Sequence, residues 1–194
     1  MANLISSDLT KIKLYILRYT TKDGEMLSVN DGAFDGRIMS HSYTDAGEIV
    51  FSKPITTIGM CAFQSCTNLT SISIPDGVTT IKNWAFSGCT GLRCISIPDS
   101  VTTIEEKAFA DCKSLQTAII GSRVKNIGAY SFEGCDKLTK VISRIPSNEL
   151  TATGSGCFSG INKNCVLYVP RGAKNTYKKS YGWDYFAKIV EIDM

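Results

Sequence analysis

Apolar residues recur along this chain with a period of 23 residues. Two positions of the repeat keep the same residue through four successive periods, namely Phe63, Phe86, Phe109 and Phe132 at one and Cys66, Cys89, Cys112 and Cys135 at the other. A fixed period of this length is typical of a solenoid, in which each coil must stack on its neighbours to bury its apolar side. The pattern therefore predicts a stack of coils that forms one continuous domain.

Each period is predicted to contain a strand followed by a turn. In the second coil the strand motif Leu-x-x-Ile-x-Ile places Ile95 and Ile97 on one face of an extended segment. Pro98 follows at once and ends that strand. Earlier in the same coil, Ile81 is expected to face inward from the opposite wall. Phe86 follows an alanine and is expected in a segment of mixed helical or turn character.

The repeat divides the domain into three segments. Residues 55–144 hold four regular repeats, and residues 1–54 form an N-terminal cap in which Ala33-Phe34 marks a degenerate first coil. Residues 145–194 hold an insertion loop, a degenerate last coil marked by Cys157-Phe158, and a C-terminal cap. Solenoids need such caps to shield their terminal coils from water. About six coils are therefore expected.

Two stretches near the C-terminus depart from the repeat. Residues 143–156 are rich in Ser, Gly and Thr and are predicted to form a surface loop. Further along is a dense cluster of aromatic residues, which is interpreted as the cap: Tyr177, Tyr181, Trp183, Tyr185 and Phe186.

The composition is that of a soluble globular protein, with 43% hydrophobic residues, 20% charged residues and a net charge of +3. No stretch approaches the roughly 20 apolar residues of a membrane-spanning helix, and no basic stripe with interleaved aromatics indicates nucleic-acid binding. The N-terminus also lacks the basic and apolar regions of a secretory signal peptide. We therefore expect neither a membrane span nor a nucleic-acid partner, and a cytoplasmic location stays open.

The full repeat, Leu-x-x-Ile-x-Ile-Pro-x-x-Val-x-x-Ile-x-x-x-Ala-Phe-x-x-Cys, is followed closely over residues 55–141. It resembles the BspA-like class of bacterial leucine-rich repeats, although Gly121 replaces a proline and Ser131 an alanine. The resemblance implies a leucine-rich-repeat solenoid, that is, a right-handed stack of about six coils with a parallel β-sheet on its concave face. It also implies a role in adhesion or protein binding at the cell surface or outside the cell. The resemblance brings no catalytic motif.

Few side chains suggest catalysis or metal binding. The single histidine, His41, belongs to no nucleophile or metalloprotease motif and is interpreted as a solvated loop residue. The cysteines of the repeat are interpreted as small, buried, reduced residues. Cys94 occupies an outward strand position, and Cys61 or Cys165 is expected to react with thiol reagents alongside it. We predict no catalytic residue, metal ligand or cofactor, and expect that the protein is not an enzyme.

The outward positions of the predicted sheet are the candidate binding site. Their central column changes along the stack from Ser73 and Ser96 to apolar residues, and polar side chains lie beside it. The predicted partner-binding residues are Arg93, Gln116, Ile119, Lys140, Ile142 and Tyr168. Apolar groups that point away from a core usually mark an interaction site. Two alternatives stay open, because the segment around Tyr181 and Trp183 can fold over this column or a second copy of the chain can cover it.

These features favour a non-enzymatic protein-binding or adhesion module that presents a β-sheet surface to a protein or glycan. The alternative is an intracellular scaffold or assembly protein on the same fold.

Overall fold

A computed structural model describes residues 15–194 of the chain. The N-terminal residues searched for a signal peptide lie outside this range. In chain order the strands are β1 (Ile16–Thr21), β2 (Ile38–Tyr43), β3 (Gly47–Phe51), β4 (Thr57–Ile58), β5 (Leu69–Ser73), β6 (Thr80–Ile81), β7 (Cys94–Ser96), β8 (Thr103–Ile104), β9 (Thr117–Ile120), β10 (Asn126–Ile127), β11 (Lys140–Ser143), β12 (Val166–Pro170) and β13 (Lys188–Ile192). A short helix, α1 (Lys174–Lys179), lies between β12 and β13.

The repeats form a solenoid with two parallel sheets as its walls. One sheet contains five strands in the order β13-β12-β11-β9-β7, and the other contains the two-residue strands β10, β8, β6 and β4. The second to fourth regular coils contribute β7, β9 and β11 to the first wall, and the four regular coils contribute β4, β6, β8 and β10 to the second. Inward residues of both walls, such as Ile95 and Ile81, are fully or almost fully buried. The prediction of a stacked leucine-rich-repeat solenoid is confirmed.

A column of phenylalanines fills the space between the two walls. The rings of Phe63, Phe86, Phe109 and Phe132 are completely buried, and successive centroids lie 5.1 Å apart with almost parallel planes. This separation is close to the spacing of neighbouring strands, about 4.8 Å, because each ring is carried by one coil. Phe158 continues the column at 5.5 Å from Phe132. Phe158 thus lies in the column where the phenylalanine of a further coil would lie.

The phenylalanines are held at corners built from turns. Backbone hydrogen bonds join one corner to the next, as between the Phe63 N–H and the Ala85 carbonyl at 2.7 Å. The cysteine of the second, third and fourth regular coils adds a further link, because its thiol donates to the phenylalanine carbonyl of the preceding coil. Cys89 contacts the Phe63 oxygen in this way at 3.1 Å. A small, buried residue with a weak donor suits this position, which accounts for the cysteine column.

The N-terminal segment differs from the expected degenerate coil. Strands β2, β3, β1 and β5 form an antiparallel sheet in that order, so the strand of the first regular coil pairs with β1. Phe34 nevertheless extends the phenylalanine column, with its ring centroid 5.8 Å from that of Phe63. The segment therefore closes this end of the core while its own strands run antiparallel.

The C-terminal segment closes the other end and adds a parallel strand, β13, to the five-stranded sheet. Trp183, Tyr177 and Phe186 are buried, whereas Tyr181 and Tyr185 are exposed. The start of the insertion is also buried, since Ser143 Oγ lies 2.6 Å from the Tyr177 hydroxyl. The expectation that residues 143–156 form only a surface loop is wrong at this point, because the cap packs on the start of that segment.

Candidate partner-binding face

The outward face of the five-stranded sheet carries a row of apolar side chains, which we call the apolar row. Strand pairing places its four members in direct register on β9, β11, β12 and β13: Ile119, Ile142, Tyr168 and Val190. Residues on either side of Ile119, Ile142 and Tyr168, such as Val141 and Ser143, are buried inside the solenoid, as is Ile189 before Val190. Side chains alternate between the two faces of a strand, so the apolar row points away from the core. All four members are half-buried.

On the neighbouring strand β7, the position in register with Ile119 is Ser96, which is polar and exposed. The apolar row therefore begins at Ile119. The column predicted from the sequence also contained Ser73, but β5 pairs with β1, and Ser73 is in register with Arg18 there. Val190 was missed because β13 lies beyond the last recognisable repeat. In the structure, buried Ile189 precedes half-buried Val190, so inward and outward positions continue to alternate in β13.

A second outward row runs two residues earlier along the same strands, and we call it the basic row after its two lysines, Lys140 and Lys188. Its members are Cys94, Thr117, Lys140, Val166 and Lys188. The Lys140 ammonium lies 5.1 Å from the centre of the Tyr168 ring, a cation–π contact that joins the two rows. Lys140, Ile119, Ile142 and Tyr168 therefore lie together, as the sequence pattern predicted.

Arg93 and Gln116, the other two predicted binding residues, lie one position before the strands. The Gln116 N–H donates to the Arg93 carbonyl at 2.8 Å, so the two are neighbours in adjacent coils. Both side chains are exposed. They lie next to Cys94 and Thr117 of the basic row. No hydrogen bond found among residues 15–194 joins them to the apolar row.

Trp183 packs inside the solenoid, on the side of the sheet opposite the apolar row. Its ring contacts Phe158 and Tyr177, with centroid separations of 5.5 Å and 5.1 Å. Tyr181 is 60% exposed, and its backbone carbonyl accepts a hydrogen bond from Thr153. These two aromatic residues thus serve the end of the core and do not cover Ile142.

A depression of about 460 Å³ adjoins the apolar row at the carboxyl ends of the strands. Ile142 and Ile192 contribute apolar walls, and the rim carries Arg144, Asp99 and Asp193. The Asp99 carboxylate accepts the Ser122 N–H at 2.7 Å. The depression can therefore take one apolar side chain next to charged groups.

His41 lies in β2 and not in a loop, which corrects the interpretation from the sequence. Its Nε2 is 2.6 Å from the Tyr19 hydroxyl, and that hydroxyl also accepts the Leu27 N–H at 3.2 Å. Since the hydroxyl oxygen accepts from Leu27, we assign its proton to the bond with Nε2. Burial lowers the pKa of His41, and the charge of Asp31 opposes this only in part. The histidine thus holds the N-terminal sheet together in its neutral form.

The thiols differ sharply in exposure. Cys94 is exposed and Cys61 half-buried, whereas Cys165 is buried, so of the two alternatives beside Cys94 the accessible one is Cys61. Burial raises the pKa of Cys66 to about 11 and that of Cys165 to about 12, and it also raises the pKa of Cys89. Within residues 15–194 no three histidine, cysteine or acidic side chains come together as a metal site would require.

Across the part of the chain that the structure describes, no helix has both the length and the apolar character to cross a membrane.

Comparison with protein families finds a match over residues 39–165, in six copies, to the family described as BspA type leucine rich repeat region. No curated protein sequence matches the chain.

Among solved structures, the pneumococcal vaccine antigen PcpA is similar, with a TM-score of 0.61 and 17% identity over 74% of this chain and 41% of that one. A leucine rich cell surface protein from Faecalibacterium prausnitzii A2-165 gives a TM-score of 0.48, with 22% identity over 69% of this chain and 35% of that one. A leucine-rich repeat protein from Bacteroides ovatus ATCC 8483 gives 0.39, with 20% identity over 72% and 59%. The chain spans less than two thirds of the length of each.

Proposed function

The chain belongs to the BspA-type leucine-rich repeat family, and we propose that it is a non-enzymatic binding module. Its binding surface is the apolar row together with Lys140, Arg93 and Gln116. The partner is a protein or glycan met at the bacterial cell surface or outside the cell. The proposed location rests on the resemblance of the repeat to bacterial surface leucine-rich repeats.

One observation carries the proposal: four consecutive rungs present apolar side chains away from the core. The stability of a solenoid dictates the inward residues of each coil, and these are met by Val141 and its counterparts. Outward positions carry no such demand, as exposed Ser96 on the same column illustrates. Each Å² of apolar surface left in water forgoes about 25 cal/mol of burial energy. A partner that covers Ile119, Ile142 and Tyr168 gains that energy.

The groups that could perform chemistry are tied to structural roles, which supports a binding function. The His41 ring is hydrogen-bonded to the Tyr19 hydroxyl. The thiols of Cys89 and Cys112 donate to backbone carbonyls within the core. Neither arrangement presents a base or a nucleophile to the outward face of the sheet.

The test is capture of partners from host extracellular matrix and from the lysate of the producing cell by three forms of the protein. The double variant Ile142→Asp, Tyr168→Ser replaces two of the four members of the apolar row with polar residues. The matched control, Thr80→Asp with Thr103→Ser, alters half-buried outward positions on the opposite wall. Circular dichroism verifies that both variants keep the fold.

We expect the row variant to lose at least about 2 kcal/mol of binding free energy, as for a hot spot, while the control binds like the wild type. Equal binding by all three forms, or equal loss in both variants, would contradict the proposal. A row-dependent partner found only in the lysate would support the intracellular scaffold in place of the surface module.

A further inference from the structure

Exposed cations surround the apolar row. They are Arg93, Lys140, Arg144 and Lys188. The ion pairs formed among residues 15–194 involve other side chains, namely Arg18 with Glu48 and Arg171 with Asp193. Within that part of the chain, the four cations thus form no ion pair and can bind an anionic group of a partner.

Three carboxylates lie near this face, namely Glu191, Asp193 and, on the rim of the depression beside Arg144, Asp99. Asp193 accepts two hydrogen bonds from the Arg171 guanidinium, both at 2.8 Å. Glu191 accepts the backbone N–H of Lys174 at 2.9 Å. The Arg171 guanidinium neutralises Asp193, whereas Glu191 and Asp99 keep their charge, so the four cations outnumber the unpaired carboxylates of this face. The outward face therefore combines apolar surface with positive potential, which attracts an anionic ligand.

We propose that the partner docks as an extended acidic peptide segment in which acidic and apolar residues alternate. This inference rests on the proposed function of the outward face. The apolar row and the basic row are parallel and lie two residues apart on each strand, about 6.7 Å. A peptide that crosses the strands between them points alternate side chains to opposite sides. Apolar side chains then cover Ile142 and Tyr168, and carboxylates reach Lys140.

The length of the segment follows from the rung spacing. Four rungs separated by about 4.8 Å span about 14 Å, which an extended chain of about five residues covers. The depression beside Ile142 receives one apolar side chain of this segment, and Arg144 on its rim receives a carboxylate. Charge-assisted hydrogen bonds to lysine and arginine are the stronger class, so they fix the register of the peptide.

Two other occupants fit the face less well. A second copy of this chain would bring Lys140 and Lys188 against the same cations, and like charges across an interface are unfavourable. A sulfated glycan would satisfy the cations but has no aliphatic side chains to cover Ile119 and Val190. Only an acidic segment with apolar residues uses both rows.

The probe is a fluorescent synthetic peptide of about ten residues in which Glu and Leu alternate, long enough to cross the whole face. A matched peptide with Lys in place of Glu and a heparin oligosaccharide serve as the other arms. Anisotropy is measured with the wild type, with Lys140→Glu, Lys188→Glu, and with Lys82→Glu, Lys125→Glu. The last pair reverses two exposed lysines on the opposite wall and matches the change in net charge.

We expect the Glu-Leu peptide to bind the wild type and to weaken as salt is raised from about 50 to about 300 mM. Reversal of Lys140 and Lys188 should weaken binding at least about tenfold, and the control pair should change it less than about twofold. Equal binding of the Lys-Leu peptide, equal effects of the two variant pairs, binding of heparin alone, or concentration-dependent dimerisation would overturn the inference. If the Glu-Leu peptide fails while a captured partner still requires Ile142 and Tyr168, this inference is wrong and the proposed function stands. If the Glu-Leu peptide does not bind and no captured partner requires Ile142 and Tyr168, both this inference and the proposed function are wrong.

Discussion

The ring of Trp183 packs against Phe158, with 5.5 Å between the centroids and 47° between the planes. It thereby ends the column of stacked phenylalanines, and its Nε1–H donates to the Thr151 carbonyl at 3.0 Å. The C-terminal cap thus uses its largest aromatic residue to seal the interior. The outward face of β12, which carries Tyr168, lies on the other side of the sheet.

Replacing Trp183 with alanine should therefore destabilise the last coil. We expect a loss of about 3 to 5 kcal/mol in the free energy of unfolding, because the change removes a fully buried aromatic side chain and leaves a cavity. Tyr185→Ala, at a residue that is 55% exposed, should cost less than about 0.5 kcal/mol. Urea denaturation followed by circular dichroism measures both, and equal losses would show that Trp183 does not close the core.

Thiol labelling of the folded protein should divide the cysteines by exposure. Cys94 and Cys61 should react within minutes, because the reagent reaches their thiols directly. The buried thiols should react only after denaturation: Cys66, Cys89, Cys112, Cys135, Cys157 and Cys165. Burial also raises the pKa of Cys157 and of Cys165 to about 12, which suppresses the reactive thiolate. Peptide mapping by mass spectrometry gives the sites, and rapid labelling of Cys112 in the native protein would be inconsistent with the stacked core.

The stability of the N-terminal sheet should depend on pH through His41. Burial lowers the pKa of His41 in the folded protein, whereas the unfolded chain titrates near 6.5. The unfolded state therefore binds more protons between the folded pKa and about pH 6.5, so stability is full above this window and falls as the pH decreases through it.

His41→Gln should flatten this dependence. We expect the wild type to lose stability as the pH falls below about 6.5, and the variant to show a smaller slope over the same range. Thermal melts at a series of pH values measure both slopes. Identical slopes would mean that another group controls this transition.

The residues that face the interior were predictable from sequence because packing dictates them in every coil. Phe86 and Phe109 meet the same neighbours one rung apart, so the same residue recurs. Ile119, Ile142 and Tyr168 could also be placed on the outward face, since strand register follows from the inward pattern, whereas Val190 lies beyond the last recognisable repeat.

The corners were less visible in the sequence. Lys107 and Tyr130 adopt left-handed backbone angles, with φ of 55° and 57°, at equivalent positions where other coils have different residues. The conformation is repeated but the residue type is not, because the hydrogen bonds between coils impose it. The Ala33-Phe34 pair has the sequence of a coil because its ring does join the column, while the antiparallel pairing of β1 depends on contacts with distant β3 and β5.

Photochemical crosslinking measures the central claim, partner binding by the outward face, most directly. A photoreactive amino acid replaces Thr117, which lies on the basic row next to Lys140, or Thr80, which faces outward on the opposite wall. Both proteins are irradiated with host matrix and with lysate of the producing cell, and the adducts are identified by mass spectrometry. A binding face on the five-stranded sheet predicts a specific adduct at Thr117 that is absent at Thr80. The same adducts at both positions, or a specific adduct at Thr80 alone, would contradict it.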